Sequence, residues 1–315
     1  MSDIQNAKEQ IIFLVGPTAS GKSEIAVLVA EKIPAEIVSC DSMCVYREMD
    51  IGTSKPSIEL QRRVPHHLID ILMPDEEFNV AMFKKKAEIL IKEIHTRGKT
   101  PLFVGGSGLY MKVLLDGIFE EEKKSDNLPE EIKEGIREKD TNYLYQELKK
   151  VDPEAANVIH PKDRRRVIRA LKVYYNLGMP ISKLKKGTRG ISDKYEVRIF
   201  GLRRNRESLY ERINRRVDEM FDKGLVDEVK RINKRYNLSK TAKEALGYKE
   251  ILKYLDGQIS LDEAKRRIKV NTRHFAKRQM TWFKKDSRIE WIEIEDNEGP
   301  ESVADRICRM IKYGV

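Results

Sequence analysis

Eight residues, Gly16-Pro17-Thr18-Ala19-Ser20-Gly21-Lys22-Ser23, place the tightest limit on what this chain can fold into. They fit G-x-x-x-x-G-K-[ST], and the flanking sequence is what that loop requires. The apolar run Ile11-Ile12-Phe13-Leu14-Val15 before them reads as a buried strand. After them, Ile25, Leu28 and Val29 share one face of a helix. A glycine-rich turn between strand and helix points backbone N–H groups at phosphate oxygens, and the helix N-terminus adds positive partial charge. Lys22 adds a full charge, and the Ser23 hydroxyl is the expected protein ligand of a phosphate-bound Mg2+ ion. All eight residues are therefore phosphate-binding candidates, and the ligand is a di- or triphosphate.

The loop also sets the fold class. Residues 1–118 alternate strand and helix signals, with strands near 11–15, 36–40 and 101–104. That rhythm predicts an α/β fold, a P-loop NTPase-like parallel sheet flanked by helices. A charged, proline-containing stretch opens at 119, and from there to 194 the patterns are helical only, with Leu144, Leu148 and Val151 on one stripe. This predicts an all-helical insertion domain, 119–194, between two parts of the core, 1–118 and 195–315. Residues 195–202 return to strand alternation, and a long helix follows with Leu209, Ile213, Val217 and Met220 on one face. Residues 289–294 read as a late edge strand. The highly charged stretches 119–134 and 183–194 are the expected hinges.

The second apolar run, 35–40, leads into Asp41. A carboxylate at the C-terminal end of a parallel strand, beside the loop of the first, stands where open α/β sheets place their chemistry. From the residues alone three roles are open: magnesium ligand, general base, or cap of the next turn.

The segment Asp41-Ser42-Met43-Cys44-Val45-Tyr46-Arg47-Glu48-Met49-Asp50-Ile51-Gly52-Thr53-Ser54-Lys55-Pro56 resembles the signature of the tRNA dimethylallyltransferases. Further matches follow in that family's order: Pro65-His66-His67-Leu68-Ile69-Asp70, then Pro101 to Tyr110 with its paired glycines, Val151-Asp152-Pro153, and His160-Pro161. Arg166-Val167-Ile168-Arg169-Ala170-Leu171, Gly247-Tyr248 and Ala276-Lys277-Arg278-Gln279-Met280-Thr281-Trp282 complete the set. The matches span nearly the whole chain. One departure is Ser107, where the family usually has threonine; the hydroxyl survives and a methyl is lost.

The resemblance implies transfer of a dimethylallyl group from dimethylallyl diphosphate to N6 of the adenine next to the anticodon of tRNA. On that reading Asp41 is the base that takes the amine proton as carbon–nitrogen bonding proceeds. Thr18 contacts the diphosphate or the reacting groups, and Arg216 binds the diphosphate, with Arg215 as the alternative in register. The leaving diphosphate needs preorganised positive charge, which the loop amides, Lys22 and Mg2+ supply. The same resemblance assigns tRNA contact to Asp41, Ser42, Met43 and Cys44, around a base drawn out of its stack. It extends to Ser107, to Arg165, Arg166, Val167, Ile168 and Arg169, to Gly247 and Tyr248, and to Lys277 and Arg278. Tyr248 and Trp282 are candidate stacking residues.

Charge agrees with an RNA partner. Lysine plus arginine number 61 against 51 acids, a net charge of +10. Between Ala264 and Lys285 stand Lys265, Arg266, Arg267, Lys269, Arg273, Lys277, Arg278, Lys284 and Lys285, with no acid among them. Ser260-Leu261-Asp262-Glu263 before them fits a capping box, so a helix is expected. A second cluster, Lys162, Arg164, Arg165, Arg166, Arg169 and Lys172, puts Arg165, Arg169 and Lys172 on one helical face. Such stripes neutralise phosphates and make binding salt-sensitive.

Other classes are excluded or set aside. Three cysteines form no disulfide framework, the five histidines show no ligand spacing, and the zinc finger of some eukaryotic relatives is absent. No apolar run approaches the ~20 residues that span a bilayer. The first ten residues are polar and charged, so a cytoplasmic protein is expected, and a monomer, since tRNA is the large partner. A small-molecule kinase would explain 11–41 but neither the basic helices nor the motif from Asp41 to Pro56. A third reading is a P-loop RNA-binding protein without catalysis; Asp41→Ala separates it, since in an enzyme it should abolish turnover while leaving RNA binding largely intact. An enzyme prenylating free adenine nucleotides has no need of the basic surfaces.

Overall fold

The computed structural model describes residues 8–119, 128–138 and 140–314. β1 (Gln10–Val15) carries five apolar residues, Ile11 to Val15, each no more than 1% exposed. A strand buried on both faces needs such a run. Around it stand β2 (Ala35–Ser39), β3 (His66–His67), β4 (Thr100–Gly105), β5 (Glu196–Arg204) and β6 (Ile289–Ile294). All pairings are parallel and the order is β3-β2-β4-β1-β5-β6. Phe13 lies opposite Phe103 on β4, and their rings stack with centroids 4.9 Å apart. The chain winds outward from β1 to β3, returns as β4, and continues on the other side as β5 and β6. β1 is therefore the switch point, and the loop leaving it opens at the C-terminal edge of the sheet.

Helices cover both faces. The Lys22–Lys32 helix buries Ile25 and Val29 in one cluster with Ala304 and Ile307 of the Pro300–Tyr313 helix. The Val80–Thr96 helix buries Phe83, Ala87, Ile91 and Ile94. The Arg206–Asp222 and Leu261–Phe283 helices pack together through Leu209, Ile213 and Ala276. Of the expected stripe on the first of these, Leu209, Ile213 and Val217 are buried, while Met220 faces a cavity. Ser260 caps the long basic helix by accepting the Glu263 N–H at 3.2 Å. The Glu263 carboxylate does not return to the cap; it pairs with Arg266 and Arg267 at 2.7 and 2.5 Å.

The chain divides into two compact units, one of residues 115–193 and the other of the rest. The smaller unit is helical, with Leu144, Leu148, Val167, Ala170, Leu171 and Val173 in its own core. Asp152, 1% exposed, accepts from Ala155 N at 2.9 Å and from Ser182 N and Oγ at 3.0 and 2.7 Å, tying two of its helices together. This unit begins four residues before the expected 119. The end of the Gly108–Asp116 helix is bound to the returning segment, with Ser192 Oγ donating to Leu115 O at 2.8 Å. Of the expected hinges, residues 120–127 lie outside the described residues. The rest of both stretches contains helix, at Glu130–Arg137 and Ile181–Lys186. Their charge conceals amphipathic patterns that bury Ile132 and Ile181. No helix among the described residues is long and apolar enough to cross a membrane.

Candidate active site

The loop after β1 is shaped from behind by two arginines. Arg212 Nε donates to Ala19 O at 2.9 Å, and Arg204 Nε donates to Ser20 O at 3.1 Å. Ala19 holds φ at +63°, which costs a residue with a side chain about 1 kcal/mol. By engaging the loop carbonyls, the two guanidinium groups hold this turn; of its amides, Thr18 N donates to Gln279 Oε1 and Ser20 N to Pro17 O, and the others face no acceptor of the loop's own. Lys22 Nζ folds over the loop, donating to Gly16 O at 2.9 Å and Pro17 O at 2.6 Å. Burial, and secondarily the Arg216 charge, push Lys22 down to about 7; Asp41 and Cys44 oppose the shift.

Opposite lies the loop after β2. Asp41 Oδ1 accepts the Met43 N–H at 2.8 Å, which closes a local turn and leaves its second oxygen free of that task. Farther along, Glu228, 3% exposed, accepts from Asp50 N and Ile51 N at 2.9 and 2.7 Å and from Gly52 N at 3.0 Å. Tyr248 OH donates to the same carboxylate at 3.0 Å. A Cβ on Gly52 would stand 2.6 Å from the Tyr248 ring, so only glycine admits this packing. Lys55, whose side chain is 4% exposed, donates to Tyr46 O and Asp50 Oδ1 and pairs with Asp70. The loop so fixed presents Ser54 O to Arg216 Nη2 at 3.3 Å, and Arg216 Nη1 donates to Thr18 Oγ1 at 3.4 Å. Burial pushes the Arg216 guanidinium below its usual range.

These groups line one cavity of 1360 Å³. Thr18, Lys22, Ser23, Asp41, Ser107 and Arg216 all border it, together with Ser42, Met43, Ala19, Gly21 and Arg215. Lys22, Arg212, Arg215 and Arg216 share this lining with the Asp41 carboxylate, around a space large enough for a diphosphate and a nucleobase together. Ser23 offers a hard hydroxyl oxygen at the phosphate end. Mg2+ commonly takes one or two protein oxygens and fills its shell with phosphate and water, so the residues present suit it. Among the described residues no group of three His, Cys, Asp or Glu could hold a metal by itself.

Not every residue expected at the RNA is available to it. Val167 and Tyr248 are 0% exposed and Gly247 is buried, whereas Cys44, 7% exposed, still lines the cavity beside Met43. Val167 packs the smaller unit's core, and Tyr248 supports the loop through Glu228. These are corrections: an aromatic or aliphatic side chain at helical spacing went to the interior. Trp282, half-buried, lies against Gly108, where a Cβ would meet its ring at 2.0 Å. Ile168 is partly buried against the smaller unit's core, while Arg165, Arg166 and Arg169 are exposed. The long basic helix splits in two. Lys265 and Lys269 pair with Asp218, and Arg266 and Arg267 with Glu263. Lys277 and Arg278 are exposed and make no ion pair among the described residues. Sequence reasoning missed Glu228 and Gln279. Both were detectable as polar residues within apolar stripes: Leu225, Glu228, Val229, Ile232, and Ala276, Gln279, Phe283.

A parallel sheet with a phosphate loop at its switch point and a carboxylate lining the same cavity defines a P-loop-type α/β protein. The family described as IPP transferase matches residues 44–286, and the chain belongs to that family. It is 48% identical over 307 residues to a tRNA dimethylallyltransferase of Caldanaerobacter subterraneus subsp. tengcongensis, covering 96% of this chain and 97% of that protein. A similar protein of the same description from Geobacter sulfurreducens is 45% identical over 298 residues, 94% of this chain and 96% of that one. The crystal structure of the full-length tRNA isopentenylpyrophosphate transferase from Bacillus halodurans superposes with a TM-score of 0.72 at 40% identity, covering 97% of this chain and 96% of that one. A eukaryotic dimethylallyltransferase acting on tRNA gives a TM-score of 0.81 at 27% identity, covering 96% and 78%.

Proposed function

We propose that this protein transfers the dimethylallyl group of dimethylallyl diphosphate to N6 of the adenine next to the anticodon in tRNA, releasing diphosphate. The observation that carries this reading is one cavity lined by Thr18, Lys22 and Arg216 together with Asp41. An exocyclic adenine amine is a weak nucleophile. As its nitrogen bonds to the allylic carbon, the carbon–oxygen bond to diphosphate breaks and the Asp41 carboxylate receives the N6 proton. The growing charge on the departing diphosphate is met by loop amides, Lys22 and Arg216. Thr18, bonded to Arg216, is placed to contact the same group. Ser23 would hold a Mg2+ ion, which neutralises diphosphate charge when bound. Ser42, Met43 and Ser107 line the cavity on the side of Asp41, where the base would enter. Lys277, Arg278, Arg165, Arg166 and Arg169 would neutralise RNA phosphates. The protein acts in the cytoplasm as a monomer, and light scattering checks the latter.

The test is incubation of the purified protein with magnesium, unmodified tRNA and labelled dimethylallyl diphosphate, with and without ATP. Nucleosides are then analysed by mass. An adenosine heavier by one C5 unit is expected in both arms. No transfer, with ATP consumed on a panel of small molecules, would instead mark a kinase.

Lys22 gives a second expectation. With its value near 7, Lys22 is mostly neutral at pH 8. A diphosphate in the loop favours the ammonium form, so binding draws in a proton, about 0.9 per site at pH 8, and affinity falls as pH rises above 7. Calorimetric titration with pyrophosphate in buffers of different ionisation enthalpy reads the uptake. Lys22→Arg, charged throughout, should abolish this component; equal uptake in both proteins would place the proton elsewhere.

A further inference from the structure

Gln279 touches both sides of the cavity. It is 6% exposed, on the Leu261–Phe283 helix. Its Oε1 accepts the Thr18 N–H at 2.8 Å, and its Nε2 donates to Gly106 O at 3.0 Å. The amide orientation is fixed by chemistry, since a backbone N–H needs an acceptor and a carbonyl needs a donor. No other uncharged side chain of this length supplies both. The glycine turn is cut to fit: a Cβ on Gly106 would stand 2.0 Å from Nε2. Beyond Gly106 the contact continues to the carboxylate side. Ser107 N donates to Cys40 O at 3.3 Å, and a Cβ on Gly105 would stand 2.0 Å from that same oxygen. Cys40 immediately precedes Asp41.

We infer that Gln279 is a positioning residue that sets the distance between the diphosphate-holding loop at Thr18 and the proton acceptor Asp41. The inference rests on the functional reading above. Three segments meet at one side-chain amide: the loop after β1, the turn after β4, and through it the end of β2. The sheet fixes the strand ends, pairing Val15 with Gly105 and Ser39 with Val104, with Cys40 N donating to Val104 O at 2.8 Å; past those ends, Gln279 is the side chain that carries the register from the Gly106 turn to Thr18. Loss of this bridge leaves the phosphate contacts of Lys22 and Arg216 in place while the two reacting partners lose their common register. Misplacement by about 1 Å costs on the order of 10²-fold in rate.

Gln279→Met fills the same volume with neither hydrogen bond. Gln279→Glu keeps the acceptor for Thr18 but sets an oxygen against Gly106 O. Both are compared with wild type for single-turnover prenyl transfer at saturating donor and tRNA, pyrophosphate affinity and melting temperature. Both are expected to lose 30-fold or more in rate; Gln279→Met should keep pyrophosphate affinity within threefold, whereas Gln279→Glu, whose new carboxylate repels the anion, is judged by its rate at saturating donor. Transfer within threefold of wild type in either variant would overturn the inference. So would a rate loss in Gln279→Met matched by its loss of pyrophosphate affinity, which would make Gln279 a loop support only. If Gln279→Met melts below the assay temperature, Gln279→Glu alone decides. Inactive wild type would sink the functional reading, whereas active wild type with unaffected variants sinks only the role of Gln279.

Discussion

Asp41→Asn is expected to lower the rate of prenyl transfer by about 10²–10⁴-fold, the range that a positioned general base contributes. Asparagine is the informative substitution because Asp41 has a second, structural task. Its Oδ1 accepts the Met43 N–H at 2.8 Å, and the asparagine amide oxygen can keep that bond and the turn it closes. What asparagine cannot do is receive the proton from N6. Binding of tRNA should stay within about threefold, since one neutralised carboxylate removes no phosphate contact. Single-turnover transfer and filter binding of the same tRNA separate the two quantities. Near-full activity of Asp41→Asn would remove Asp41 as base and leave it the cap of its turn. Asp41→Ala should be slower still or less stable, because it loses the turn as well.

What could be read in the sequence and what could not divides along chain distance. The phosphate loop is eight consecutive residues between a strand and a helix, so motif, fold class and location at the sheet edge came together. The β strands of the core and the helical character of the inserted segment were visible for the same reason, as local periodicity. The bracing of the site was not. Gln279 is separated from Thr18 by 261 positions and Glu228 from Asp50 by 178. Their place on apolar stripes is the local physical signal; Gln279 also stands in the Ala276–Trp282 motif, but the motif says nothing of its partner. The basic helix shows the reverse error. Nine cations and no acid between 264 and 285 suggest a basic helical surface, yet Lys265, Lys269, Arg266 and Arg267 are engaged by Asp218 and Glu263. Partners supplied by another helix or by the first turn of the same one are invisible to a count of charges. Tyr248 was misread for a related reason: an aromatic beside a glycine suits a stacking platform and a packed core equally, and burial against Gly52 decided it.

Glu228→Ala, on the Leu225–Arg235 helix, should be the most destabilising single change among the residues that brace the loop presenting Ser54 O to Arg216. The wild-type carboxylate satisfies three backbone N–H groups and the Tyr248 hydroxyl in a site that is 3% exposed. Alanine leaves all four donors without that acceptor. Each buried unsatisfied group costs about 1–3 kcal/mol, and water entering the space relieves part of it, so a net loss of roughly 3–5 kcal/mol is expected. Glu228→Gln retains an acceptor oxygen for two of the donors but turns an NH2 toward the other two; set on the side of Gly52 N and Tyr248 OH, where the hydroxyl can rotate to accept, it leaves one donor unpaired, so a smaller loss, about 1–2 kcal/mol, should follow. Both tryptophans, Trp282 and Trp291, lie in the sheet-containing unit, so their fluorescence in urea reports its unfolding. A lower midpoint at unchanged slope is the expected result. The activity of the folded variant should fall as well, because Ser54 O, the acceptor for Arg216 Nη2, is carried by the loop that Glu228 holds. A shift under 1 kcal/mol for Glu228→Ala would mean that water replaces the carboxylate at all four donors. The loop would then owe its shape to Lys55, whose contacts with Tyr46 O, Asp50 and Asp70 remain.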